Sequence, residues 1–255
     1  MKRRALIVYC DKTPSGELDG PSYDYSNFVE FLTSPLGGGW YKNEILGLHN
    51  PTEQDVMTLG RSFLDGADYT FTIFTGHGYI RKSESCNCQY VELADKEISI
   101  RKLKSTSPRQ LLIIDACRRY QIVTEGIKKI ASAHESLRNF SVITEMSRRL
   151  FNEQISNSEY GITVLYAASE NESALDTDKG AAYLLSLLDA AKQWEKESTD
   201  SVLSVKDAHL RAKKILNFKF GDNTLQQPTM NQEKRKEYFP FAINPKKIII
   251  SQLVN

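Results

Sequence analysis

The chain has 255 residues, with 33 Lys and Arg against 32 Asp and Glu, a net charge of +1, and 40% hydrophobic residues. That balance excludes a fibrous or disordered chain and leaves no electrostatic footprint for nucleic acid. No run approaches the roughly 18 apolar residues that a membrane-spanning helix needs, and the apolar stretch after Met1-Lys2-Arg3-Arg4 stops at Asp11 and Lys12, too soon for a secretory core.

Four cysteines, Cys10, Cys86, Cys88 and Cys117, present no disulfide framework, so the expected compartment is the cytoplasm. The length fits one α/β domain spanning 1–255, with a first part to about residue 120, a crossover over 121–160 and a second part over 161–255.

In chain order, apolar and β-branched runs predict strands over Arg4–Cys10, Glu44–Leu48, Tyr69–Thr75, Leu111–Asp115 and Gly161–Ala167. A late strand falls in Tyr238–Ile243 or in Lys247–Leu253. Helical periodicity predicts helices over Ser22–Thr33, Thr52–Leu64, Thr124–His134 and beyond, Gly180–Glu197 and Val205–Leu216. Thr52 and Asp55 form an N-terminal capping pattern behind Pro51. Asp11–Pro21, Gly37–Trp40, Arg81–Gln89 and the stretch around Asn223–Arg235 read as loops. The alternation predicts a mostly parallel sheet with helices on both faces, a three-layer α/β sandwich.

Two short words carry the chemistry. Thr75-Gly76-His77-Gly78 comes after the third predicted strand, and Asp115-Ala116-Cys117-Arg118 after the fourth. Side chains at the carboxyl ends of parallel strands share one rim, where open α/β sheets bind and react. A cysteine attacks as thiolate, and an imidazole nearby can hold its proton at neutral pH. Either word alone is weak, because a lone cysteine is more often an inert buried thiol and a lone histidine more often a structural group. Together they point to nucleophile and base.

The two words, in this order and spacing, resemble those of the caspase-like cysteine peptidases, which comprise caspases, paracaspases, metacaspases and bacterial relatives. The Asp-Ala-Cys-Arg form is closer to paracaspases and metacaspases than to the Gln-Ala-Cys-Arg-Gly of caspases. The resemblance implies His77 and Cys117 as the catalytic dyad and the backbone N–H groups of Gly78 and Cys117 as the oxyanion hole. It further implies an acidic S1 pocket, with Asp115 at its floor, for substrates with arginine or lysine at P1; the plainer reading of Asp115 is a cap or salt-bridge partner.

The stretch Ser169-Glu170-Asn171-Glu172-Ser173-Ala174-Leu175-Asp176 is similar to the family's pocket wall, with Asp176 the closer acidic match and Glu172 the alternative; a solvated acidic loop is the bland reading. Gln226-Gln227-Pro228 resembles a late word of bacterial members.

Basic residues in the crossover, Arg138, Arg148 and Arg149, are expected self-cleavage sites. Activation is expected from a partner protein or self-association, and the resemblance suggests a role in bacterial defence or regulated cell death. No cofactor or metal is assigned: Cys86-Asn87-Cys88 lacks a second ligand pair at zinc spacing, and acids such as Asp19 and Asp24 form no calcium-loop pattern. Two rival readings remain. One is a catalytically silent scaffold of the same fold; the other is a nucleotide or signalling domain using the Asp11–Gly16 loop for phosphate.

Overall fold

The computed structural model describes residues 1–82, 87–120, 142–221, 226–231 and 236–247. Strand β1 (Arg3–Tyr9) leads into a small hairpin, β2 (Lys12–Thr13) and β3 (Gly16–Glu17), then helix α1 (Pro21–Thr33) and strand β4 (Ile45–His49). The next helical segment joins α2 (Glu53–Asp55), a π-helical turn over Val56–Gly60, and α3 (Arg61–Leu64). It starts as the sequence predicts: the Thr52 hydroxyl accepts the Asp55 N–H, and the Asp55 carboxylate accepts the Thr52 N–H at 2.9 Å.

Strands β5 (Tyr69–Thr75), β6 (Gly78–Lys82), β7 (Asn87–Glu92), β8 (Glu97–Ser99) and β9 (Arg109–Asp115) come next, with a 3₁₀ turn over Ile100–Leu103. The later elements are α4 (Val142–Asn157), β10 (Gly161–Tyr166), α5 (Ala182–Glu197), β11 (Val202–Ser204), α6 (Val205–Phe220), β12 (Thr229–Asn231) and β13 (Pro240–Ile243).

The central sheet has the order β12-β10-β9-β5-β1-β4, with all pairs parallel except the antiparallel β12 edge. Every residue of β5 is buried, as expected of a strand covered on both faces. Alternate side chains divide between two cores. Ala5, Ile7, Phe71, Ile73, Leu111, Ile113 and Leu165 face α1, α4, α5 and α6. Leu6, Val8, Phe74, Leu112, Ile114 and Val164 pack instead with Val56, Leu64, the three-stranded sheet β6-β7-β8 through Val91 and Ile98, and Leu93 just past β7.

A charged pin closes the α4 side. Arg3, with no exposed surface, lies 4.3 Å over the Trp40 ring and donates to Gly38 O, Gly39 O and Glu44. Arg148 of α4 forks onto both oxygens of the same Glu44 at 2.6 Å. Burial, then the neighbouring Arg148, lowers the Arg3 pKa to about 10.

Several expectations change here. Arg148 and Arg149 stand within α4 rather than in an open crossover. A protease needs extended backbone, so cleavage at either would require this part of α4 to unwind, and at Arg148 the guanidinium is also tied to Glu44; Arg138 and the predicted helix Thr124–His134 lie outside the described residues. The described residues of Arg81–Gln89, read as a loop, belong to β6 and β7. The late strand is Pro240–Ile243, and it pairs with β11 in a separate two-stranded sheet. The alternative Lys247–Leu253 lies almost wholly outside the described residues. The sixth central strand is β12, from a stretch read as loop. Cys10 and Cys117 are free thiols, but Cys88 is disulfide-bonded, against the expectation from cysteine spacing. Among the described residues no helix is long and apolar enough to cross a membrane.

Candidate active site

Parallel register brings the two sequence words together. Thr75 pairs with Asp115 at the ends of β5 and β9. Beyond that pair, Gly76 N–H donates to Asp115 O at 3.1 Å and Ile80 N–H to Arg119 O at 2.9 Å. His77 and Cys117 therefore stand between two rungs joining the same two chain segments, at the carboxyl rim. Gly78 allows this approach: a Cβ there would lie 2.8 Å from both the Ala116 Cβ and Tyr90 O, and 3.5 Å from Cys117 O.

The His77 ring is half-buried, and its Nε2 is buried without a hydrogen-bond partner. Burial pushes its pKa below the usual 6.5, against an opposing pull from Glu92 and Asp176. The neutral, basic imidazole is thus the resting form at neutral pH. The His77 backbone is held by Glu92, whose N–H donates to His77 O at 3.0 Å. The Glu92 carboxylate in turn accepts from the Thr13 and Ser15 hydroxyls at 2.9 and 2.6 Å. A carboxylate therefore sits inside the Asp11–Gly16 loop, which argues against that loop as a phosphate cradle. The Cys117 thiol is partly exposed and donates to Ala174 O at 3.7 Å.

Three carboxylates gather below this rim. Asp115 is 3% exposed, accepts the Leu184 N–H, and leaves Oδ2 with no partner. Burial, then Asp24 and Asp176, raises its pKa well above the ordinary carboxylate value. Asp24, on α1, accepts the Thr75 hydroxyl at 2.6 Å and the Ala181 N–H at 2.9 Å, and burial raises its pKa to about 7. Asp176 accepts the Gly20 N–H at 3.0 Å and is also raised, first by burial.

Glycine is required where the chain passes these groups: a Cβ on Gly20 would fall 1.8 Å from Asp176 Oδ1, and one on Gly180, at φ +124°, would fall 2.5 Å from Asp24 Oδ1. Like charges gathered this way favour holding protons. A cation entering among them would favour their charged forms and release those protons.

Glu172 does not join the cluster. Its carboxylate accepts the N–H groups of Ser169 and Gln227 at 3.0 and 2.7 Å, and its backbone O accepts the Arg118 N–H. It shapes the loop beside Cys117. Gln226 braces the same loop, donating to Ala167 O at 2.8 Å and accepting the Leu175 N–H at 3.1 Å. In the sequence, Asp24 stands only as a scattered acid and Gln226 only as part of a resemblance. The signal for Asp24 lies in the helix pattern, where an aspartate occupies an inward position of α1 beside Phe28, Phe31 and Leu32.

A family model, the caspase domain, matches residues 2–240. No curated protein matches the chain. With nearly its whole length under that model, the chain belongs to the caspase family of cysteine peptidases.

Proposed function

We propose that this chain is an endopeptidase that cuts protein substrates after arginine or lysine, with Cys117 as nucleophile and His77 as base and acid. The observation that carries the reading is the group of Asp24, Asp115 and Asp176 beneath the rim that holds both residues. Buried carboxylates offer a basic P1 side chain charge-assisted hydrogen bonds, bidentate for a guanidinium. They would repel an aspartate.

In the reaction, His77 takes the Cys117 proton and the thiolate adds to the scissile carbonyl carbon. The Gly78 and Cys117 N–H groups then receive the oxyanion. Collapse of this intermediate breaks the C–N bond as His77 returns the proton to the leaving amine. Water, deprotonated by His77, hydrolyses the acyl-cysteine and restores the thiol. Since Cys117 Sγ rests on Ala174 O and Asp115 is covered, the 169–176 loop must shift for a long basic side chain to reach the floor. A protein partner or self-association that moves this loop is the proposed activating event, in keeping with a regulated role in defence or cell death.

The test is hydrolysis of peptides carrying Arg, Lys or Asp at P1 by wild type, Cys117→Ala and Asp115→Asn. Arg and Lys turnover that disappears with Cys117→Ala and falls sharply with Asp115→Asn is expected; turnover only after Asp would overturn the specificity.

A further inference from the structure

At the opposite rim, the strands that carry the dyad begin beside a cavity of about 510 Å³ lined by Arg61, Ser62, Asp65, Arg101, Lys104, Ser105 and Thr106. Two elements supply its cations: Arg61 opens α3, while Arg101 and Lys104 come from the 3₁₀ turn and its end. Lys102, between the latter two, is ion-paired with Glu53, which also pairs with Lys96 at 3.1 Å. Arg61, Arg101 and Lys104 have no ion-pair partner among the described residues. Asp65, the one carboxylate among the described residues that line the cavity, accepts the Thr106 hydroxyl at 3.4 Å, and its backbone O accepts Lys2 Nζ at 2.7 Å.

The floor is preorganised. The Gln110 amide accepts the Ser105 N–H at 3.0 Å and donates to Ser105 O and Ser107 O at 3.0 and 2.8 Å, and Thr70 bonds the Ser105 hydroxyl at 2.9 Å. Three cations lining one depression, with the hydroxyls of Ser62, Ser105 and Thr106 beside them, match a multiply charged oxyanion, whose oxygens accept guanidinium forks and an ammonium together.

We propose that this cavity binds a small di- or triphosphate, away from the peptidase rim. Its volume suits a small molecule rather than a polymer. Among the described residues no aromatic side chain lines it, so recognition rests on the phosphates and not on a stacked base.

The test is calorimetric titration of the full chain with pyrophosphate at low ionic strength, repeated with ADP and with sodium sulfate matched for ionic strength. Pyrophosphate and ADP should bind one-to-one with similar affinity and raise the unfolding temperature, while sulfate binds far more weakly. Each of Arg61→Ala, Arg101→Ala and Lys104→Ala should weaken binding about tenfold, whereas the distant surface change Lys213→Ala should leave it unchanged. Absence of binding at about 1 mM pyrophosphate, or equal binding by the triple alanine variant, would overturn the proposal. Equal effects of sulfate would reduce it to ionic strength and do the same.

Discussion

Replacing Asp24 by asparagine should make the protein more stable at neutral pH and a poorer enzyme. Asp24 is 1% exposed, and its pKa rises from 3.8 to about 7, chiefly through burial. A carboxyl raised in the folded state contributes its stability in full below the unfolded value and loses it as pH climbs through the folded one. The gap of about 3 pH units, at about 1.36 kcal/mol each, amounts to roughly 4 kcal/mol lost between about pH 4 and pH 7. Asparagine has no such loss. It keeps an oxygen for the Ala181 N–H and offers its amide to Thr75.

Urea unfolding at pH 4 and pH 7.5 should therefore show the variant gaining about 2–4 kcal/mol on wild type between the two conditions. His209 titrates in both proteins, so its contribution cancels in the comparison. Arg-peptide kcat/KM should meanwhile fall about 100-fold, the scale of one lost charge-assisted contact in a buried site. Parallel stability of the two proteins across that range would refute the reasoning, since the raised carboxyl would then not exist.

Other consequences are equally direct. Glu44→Gln leaves the buried Arg3 facing Arg148 without its counter-charge and should cost about 3 kcal/mol in urea unfolding; a change below about 0.5 kcal/mol would show that the pin is unimportant. Gly180→Ala forces a Cβ against Asp24 at positive φ and should lower the unfolding temperature while also reducing Arg-peptide turnover, and an unchanged enzyme would contradict the packing described. Because burial holds His77 below 6.5, its ring should titrate below pH 6.5 when followed by NMR, whereas a midpoint above pH 7 would mean that a charged imidazole is the resting form. His209, buried against Tyr183 with its pKa lowered to about 4, contributes stability above pH 6.5 that is lost as pH falls toward 4, so His209→Gln should flatten that part of the acid-unfolding profile.

The words around His77 and Cys117 are legible because buried parallel strands are written as unbroken apolar runs, and the residues just past the end of such a run stand at the rim. Tyr69–Thr75 matches its strand at both ends, and the helix starting after Thr52 announces itself by its cap. The features that escape the sequence depend on contacts distant in the chain. Strand β12 has three residues, too few to display a period of two. Asp24 joins the acidic group only because α1 packs beside the loop that carries Gly180 and Ala181. Glu172 and Asp176 are indistinguishable as acids in one loop, and only backbone N–H groups from Gly20, on one side, and Ser169 and Gln227, on the other, separate their roles. Arg148 reads as an open cleavage site because its partner, Glu44, lies 104 residues away.

The central claim is tested most directly by labelling the protein with a peptidyl-arginine chloromethyl ketone and locating the adduct by peptide mass spectrometry. A single adduct is expected on Cys117, lost in His77→Ala, strongly slowed in Asp24→Asn and Asp115→Asn, and not formed by the corresponding aspartate reagent. Labelling of another residue, or labelling of Cys117 that ignores both the P1 side chain and the three carboxylates, would contradict it.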